Sequence, residues 1–286
     1  LTLVGNLAGD ANTEGSYSDA FGYNALGAMT TGQFNVAIGR SSLASVTTGS
    51  SNIGLGPVAN NSTISSRNIA IGQSSGGSNG AGMTGDDNTF IGHQAGFNTT
   101  SGNLNSALGN YALNTNTTGS INMAIGTNAL FSNTEGGSNT AVGYATLNAN
   151  TTGNNNVAIG RIALLANTTA SDNTAIGYGS LQANTTGTRL VAIGRDAGNA
   201  TVSVNDTTSI GYNALLLATG VGNTALGSTA GNALTVGTSN TFLGFNSDTS
   251  STTLYNATAI GANSVVGANN SLILGGTGAN AVKVGV

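Results

Sequence analysis

Two groups of residues have side chains and spacings that suit chemistry. The first is His93, the only histidine, with Asp86 and Asp87 seven and six residues before it. An imidazole near carboxylates is the minimum for acid–base work, and adjacent carboxylates can hold a weak Ca²⁺. The ten acidic residues are otherwise scattered, with no Asp-x-Asp-x-Asp spacing. The blander expectation is that His93 fills a variable surface position while the aspartates solvate an inserted loop. The Gly-rich run 76–85 lacks the lysine of a phosphate-binding loop. On these grounds the chain is read as a non-enzyme, with no catalytic residues, no cofactor and no metal.

The second group is Tyr144, Arg161, Tyr178, Arg195 and Tyr212, phenols and guanidinium groups alternating in steps of 17 residues. If each step is one coil, every guanidinium can lie against neighbouring rings, at roughly 0.5–1 kcal/mol per exposed contact. Such a row has two uses. It can be a ladder that fixes register between coils or chains, or a surface strip that binds sugars or another polar polymer. Asn-Thr-Thr triplets at Asn98, Asn116, Asn150, Asn167 and Asn184 also have the form of glycosylation acceptors. Their recurrence at one repeat position favours turn geometry as the cause.

These residues are positioned by a repeat. Each strip residue follows a Gly that closes a short motif, as in Val36-Ala37-Ile38-Gly39 and Thr174-Ala175-Ile176-Gly177. The motif recurs from Gly5 to Gly285, and successive motif glycines are mostly 17 residues apart, seven times in a row from Gly92 to Gly211. Coils this short exclude helix–turn–helix repeats, and Gly, Asn and Thr are poor helix formers. The pattern predicts an all-β parallel β-solenoid of about 17-residue coils, each with two short strands and two turns. The whole chain, 1–286, is expected to form a single repeat domain with an inserted loop near 76–85 and tapering coils near 262–286.

Columns refine the expectation. The residue before each motif Gly is large and apolar, and the one before that is mostly Ala, Gly or Ser. Alternation places these columns on opposite faces of a strand. A Leu column (Leu26, Leu43, Leu113, Leu130, Leu147, Leu164, Leu181, Leu215) is expected on the opposing strand, meeting the Ile/Val column inside the coil. The return turn reads Thr-Thr-Gly at Gly32, Gly119, Gly153 and Gly187, where glycine would accommodate φ > 0. Asn four residues before the motif Gly (Asn105, Asn122, Asn139, Asn156, Asn173) suggests a stacked amide ladder. At about 4.8 Å per coil, the chain predicts a rod of roughly 80 Å.

Composition agrees. Of 286 residues, 45 are Gly, 40 Asn and 40 Thr, and only 6% are charged. Large apolar residues are too thinly spread for a deep core. A net charge of −4 with six basic residues offers no footprint for nucleic acid. No apolar run approaches the roughly 20 residues of a membrane-spanning helix, so no membrane insertion is expected. With no cysteine, disulfide scaffolds and thiolate metal sites are excluded.

The motif Asn156-Val157-Ala158-Ile159-Gly160, with Asn68-Ile69-Ala70-Ile71-Gly72, resembles the head repeat of YadA-like trimeric autotransporter adhesins. The longer Asn-Thr-Thr-Gly turn is similar to repeats of phage tail-fibre proteins. That resemblance implies a left-handed parallel β-roll, assembled as a parallel homotrimer. The small Ala column would let neighbouring copies approach closely. It also implies an extracellular fibre, on a virion or a bacterial surface, with cell-surface glycan or a surface protein as partner. The favoured reading is a tail fibre attaching to host glycan; a bacterial adhesin or a purely structural filament is the alternative. Regular Thr rows also suit ice-binding solenoids, but here the strand column mixes Thr with Val, Ile, Met and Ser.

Overall fold

The computed structural model describes residues 1–60, 64–77 and 82–276. The expected insertion is therefore described only at 76–77 and 82–85, and the end of the tapering segment, with Gly285, lies outside the described residues. The chain groups into two compact units, Leu1–Thr152 and Gly153–Val286. Both are parallel β-solenoids, and no helix occurs among the described residues.

The first unit stacks β1 (Thr2–Val4), β2 (Asp19–Phe21), β3 (Val36–Ile38), β4 (Ile53–Leu55), β5 (Ile69–Ile71), β6 (Thr89–Ile91), β7 (Ser106–Leu108), β8 (Met123–Ile125) and β9 (Thr140–Val142). The second stacks β10 (Val157–Ile159), β11 (Thr174–Ile176), β12 (Val191–Ile193), β13 (Thr208–Ile210), β14 (Thr224–Leu226) and β15 (Thr241–Leu243). It continues through β17 (Thr258–Ile260) and β19 (Leu272–Leu274), with a side pair of β16 (Asp248–Thr249) and β18 (Val265–Val266). Equivalent repeat positions pair across coils, for example Val36↔Ile53 and Ala175↔Ala192. The longest interval keeps this register, since Ile69 pairs with Thr89. The shortened one does too, with Thr258 opposite Leu272.

Most coils contain one three-residue strand rather than the expected two. The opposing wall is a series of tight turns in the left-handed region. Leu26, Leu113, Leu164 and Leu215 have φ of 51°, 54°, 49° and 48°. This conformation costs an L-residue about 1–2 kcal/mol. Each of these leucines is fully buried, which returns roughly 1.5–3 kcal/mol. Burial wins, narrowly, and so the column tolerates leucine.

The strand faces are the reverse of the expectation. The small column points inward: Ala20, Ala37, Ala124, Ala158 and Ala192 are fully buried. The large column points outward, with Ile38 46%, Leu108 48%, Ile159 39% and Leu226 46% exposed. None of its described residues is buried. The coil is so narrow that Ala facing Leu already fills it, and a second large column has no room. For the same reason the Ala column cannot be where neighbouring copies meet.

Two exceptions confirm that the interior volume is fixed. Phe90 and Phe242 occupy the small column and are fully buried. Glycine stands where leucine would face them. A Cβ on Gly96 would lie 2.5 Å from the Phe90 ring, one on Gly76 3.1 Å from it, and one on Gly231 2.8 Å from the Phe242 ring.

Turn glycines also serve a different purpose from the one expected. Gly32, Gly119 and Gly187 do not have positive φ. A Cβ on Gly32 would instead strike the carbonyl of Gly49, and one on Gly119 that of Gly136. Close approach of the next coil's backbone favours glycine, although Ser65, Ala170 and Val204 stand at the same repeat position.

The asparagine ladder is present and buried. Asn122 Nδ2 donates to Gly136 O at 2.8 Å, while its Oδ1 accepts the backbone N–H of Asn139 at 3.0 Å. In the second unit the Asn173 N–H donates to Asn156 Oδ1 (3.1 Å) and the Leu190 N–H to Asn173 Oδ1 (2.9 Å). A second ladder runs through the asparagines that open the turns, where Asn133 Nδ2 donates to Asn116 Oδ1 at 2.8 Å. Buried amides that satisfy each other and the backbone lock the register, since a slip would leave several polar groups unpaired.

Candidate functional site: a row of tyrosine and arginine

The residue after each motif Gly sits where the chain leaves the strand and turns. Its backbone carbonyl accepts the N–H of a residue in the next coil: Gly179 N to Arg161 O (3.1 Å), Asp196 N to Tyr178 O (2.8 Å) and Asn213 N to Arg195 O (3.0 Å). Asp196 and Asn213 take φ of 54° and 53° to do so. The row is therefore held by the backbone ladder, and Tyr178, Arg195 and Tyr212 are exposed to solvent.

In the second unit, Arg161, Tyr178, Arg195 and Tyr212 come together as the sequence predicts. The Arg161 guanidinium carbon lies 5.6 Å from the centre of the Tyr178 ring, and that of Arg195 lies 5.5 Å from the same ring. Arg195 also lies 5.9 Å from the Tyr212 ring. Tyr178 is thus flanked by two cations, yet 40% exposed, and Tyr212 is 48% exposed. Arg195 Nε donates to Asp196 Oδ2 at 3.1 Å, and 63% of the arginine side chain is still exposed. Tyr144, in the first unit, is half exposed. No concave pocket occurs among the described residues, so the row is an open surface track.

The His93–Asp86–Asp87 grouping is not brought together as an acid–base or cation site. Both aspartates face Arg67, which donates Nε to Asp87 Oδ1 (2.6 Å) and Nη2 to Asp87 Oδ2 (2.9 Å) and Asp86 Oδ2 (3.3 Å). This hydrogen bonding holds the Asp87 carboxyl below its usual range. His93 packs edge-on against Tyr111, with ring centres 5.2 Å apart. Among the described residues no group of three or more His, Cys, Asp or Glu could hold a metal ion.

The Asn-Thr-Thr turns are occupied by structure. Asn116, Asn150, Asn167 and Asn184 are fully buried; Asn98, one position out of that register, is only partly so. The first Thr of the turn donates its hydroxyl to the next coil, as Thr117 does to Thr134 O (2.9 Å). Those hydroxyls serve the ladder rather than an ordered outer surface.

Sequence reasoning missed two features. One is the outward apolar column. The signal that could have revealed it is the pairing of Phe90 with Gly96, a volume compensation that only an inward-facing position needs. The other is a second ion pair between coils, Arg189 to Asp206, with Nε–Oδ1 at 2.6 Å and Nη2–Oδ2 at 2.8 Å. Its residues lie 17 apart at one repeat position, so it too could have been found by reading columns. Comparison with protein-family models gives no match, and comparison with curated proteins gives none either.

Proposed function

We propose that the chain is the shaft of an extracellular trimeric fibre, a left-handed β-roll that attaches to glycan on a host surface in the manner of a phage tail fibre. The observation that carries this reading is the outward apolar column. Parallel sheets ordinarily bury both faces, and extended exposed apolar surface marks an interaction site. Here the exposed face is a column of Phe21, Ile38 and Leu108 in the first unit, and Ile159, Ile193 and Leu243 in the second. The partner that matches such a column coil for coil is another copy of the same repeat. Three copies in parallel, each turning this face toward a common axis, close the assembly symmetrically.

With the apolar face covered, the Tyr/Arg row is the surface left for attachment. Aromatic faces and arginine donors suit sugar rings and their hydroxyls. The polar ladders and low charge fit mechanical duty outside the cell. Imaging the purified chain and passing it over a carbohydrate array tests the proposal together. Extended three-chain particles retained on glycan spots are the expected result. Compact single-chain particles, or no retention on any glycan, would contradict it.

A further inference from the structure

We infer that the first unit carries a built-in yield point: the turn wall of the coil holding Gly54 and Asn60 opens ahead of its neighbours, with the strand side as its hinge. This concerns a single chain and depends neither on glycan attachment nor on assembly of copies.

The leucine column is interrupted between Leu43 and Leu113, where Asn60, Gly76 and Gly96 stand in its place. Phe90 fills the space at both glycines, but nothing makes good the change at Asn60. Its side chain is fully buried, and neither Nδ2 nor Oδ1 has a hydrogen-bond partner. Ser65 Oγ, in the turn that follows, is buried without one too. On the opposing strand the small column holds Gly54, paired between Ala37 and Ala70. A Cβ on Gly54 would lie 2.9 Å from Leu43 Cγ, so the previous coil's leucine already takes that volume. Among its described residues, this coil buries no large apolar side chain of its own. The buried apolar cluster of Ala20, Leu26, Leu43 and Val46 does not extend to it.

Asn60 has φ of 48°, and asparagine suits that left-handed backbone better than leucine does. The relief is smaller than the loss. Each unmet amide atom shifts the balance toward an open form about ten- to a hundredfold, because water satisfies it once the wall parts. The strand side of the same coils has no such weakness. Asn52 Oδ1 accepts the Asn68 N–H at 3.0 Å, and Asn68 Oδ1 accepts the Asn88 N–H at 2.8 Å. Beside that ladder, Arg67 grips Asp86 and Asp87 of the next coil. Opening is therefore one-sided, and it lets the coils before Gly54 tilt on an intact strand ladder.

Hydrogen exchange of the full chain tests this, because the amides compared make similar backbone bonds. Asn60 N donates to Ser75 O (2.7 Å), Gly76 N to Ala95 O (2.8 Å) and Leu113 N to Ala129 O (2.9 Å); on the strand side Ile53 N donates to Asn68 O and Ile69 N to Asn88 O, both at 2.8 Å. Relative to intrinsic rates, the Asn60 and Gly76 amides should exchange about a hundredfold faster than Leu113, while Ile53 and Ile69 stay protected. Asn60→Leu keeps the branched shape and replaces two unmet polar atoms by methyl groups. It should slow Asn60-coil exchange about tenfold or more and raise the melting temperature. Leu113→Asn should create a second fast-exchanging wall at its own coil. In the native chain, an Asn60 amide as protected as that of Leu113 overturns the inference. Strand amides exchanging as fast as Asn60 do so too, since the whole coil would then open without a hinge. An Asn60→Leu chain that melts lower than the native one shows the amide to be satisfied in solution, and likewise overturns it.

Discussion

Leucine in the left-handed region is a compromise that recurs along the chain. Leu113, at φ 54° and fully buried, shows it plainly. Leu113→Ala should cost about 2–4 kcal/mol, because a cavity opens in a coil with no slack. Leu113→Gly should be no worse than the alanine variant. Elsewhere glycine costs roughly 0.5–1 kcal/mol more than alanine in regular structure, but here it also relieves the backbone. Denaturant titration of both variants checks the pair; a glycine variant clearly weaker than alanine would contradict the account. This position also marks the limit of what the sequence reveals. Leucine every 17 residues announces a core column, yet nothing in its identity announces a positive φ.

At the scale of the element, one coil is a fixed volume shared between the strand's middle residue and the turn. Gly96→Leu should strongly destabilise, since Phe90 occupies the space. Phe90→Ala alone should leave a cavity costing about 3–5 kcal/mol. Together the two changes recreate the Ala/Leu coil found at Ala124 and Leu130, and should recover most of the loss. Thermal melting of the three variants tests this, and simple additivity of the two losses would refute it.

Between coils, exposed ion pairs add a pH dependence. Hydrogen bonds from Arg67 and Arg189 hold Asp87 and Asp206 below the usual carboxylate range. A lowered folded value means that their contribution is complete above the ordinary carboxylate pKa of about 3.9 and is lost as pH falls below it. Asp248 has the opposite sign: burial raises it, against the opposing pull of the Thr249 and Ala233 N–H groups. Its neutral form is favoured in the fold, so stability is greatest in acid and lost as pH rises through the raised value. Asp87→Asn with Asp206→Asn should flatten the acid limb of a stability–pH curve, and Asp248→Asn should remove a loss of stability that otherwise sets in as pH rises through the raised Asp248 value. Curves unchanged by these substitutions would remove the pairs from the account. Because Asp87 and Asp206 are substantially exposed, the effect of their pairs should be small.

The repeat, its register, the strand positions and the Tyr/Arg row were all legible in the spacing of the motif glycines. A period is a property of order along the chain, and parallel stacking converts it directly into neighbours. Inside and outside were not legible. Alternation separates the two faces of a strand but does not label them, and the habit of placing Ile and Val inside fails when the coil is only wide enough for Ala against Leu. The second strand failed for a related reason: the turn conformations that bring leucine inward leave little extended backbone.

At the scale of the whole chain, each of the two units carries an apolar solenoid face that water should not be left to cover. In both units the exposed column is Ile, Leu, Val or Phe on a parallel sheet, backed by a buried Ala column. The same feature removes the Ala column as a contact between copies, and under the trimer proposal the column beside it takes that place. It also separates two kinds of damage. Changes in the small column should unfold the coil, whereas polar changes in the large column should leave the coil folded and take the copies apart.

Sedimentation equilibrium of the native chain beside the Ile38→Asp, Ile193→Asp double variant tests that claim most directly. The native chain should sediment at three times its 27.8 kDa mass, and the variant at the single-chain mass with its β-type circular dichroism retained. A native chain that sediments as a single copy, or a variant that unfolds instead of dissociating, would contradict it.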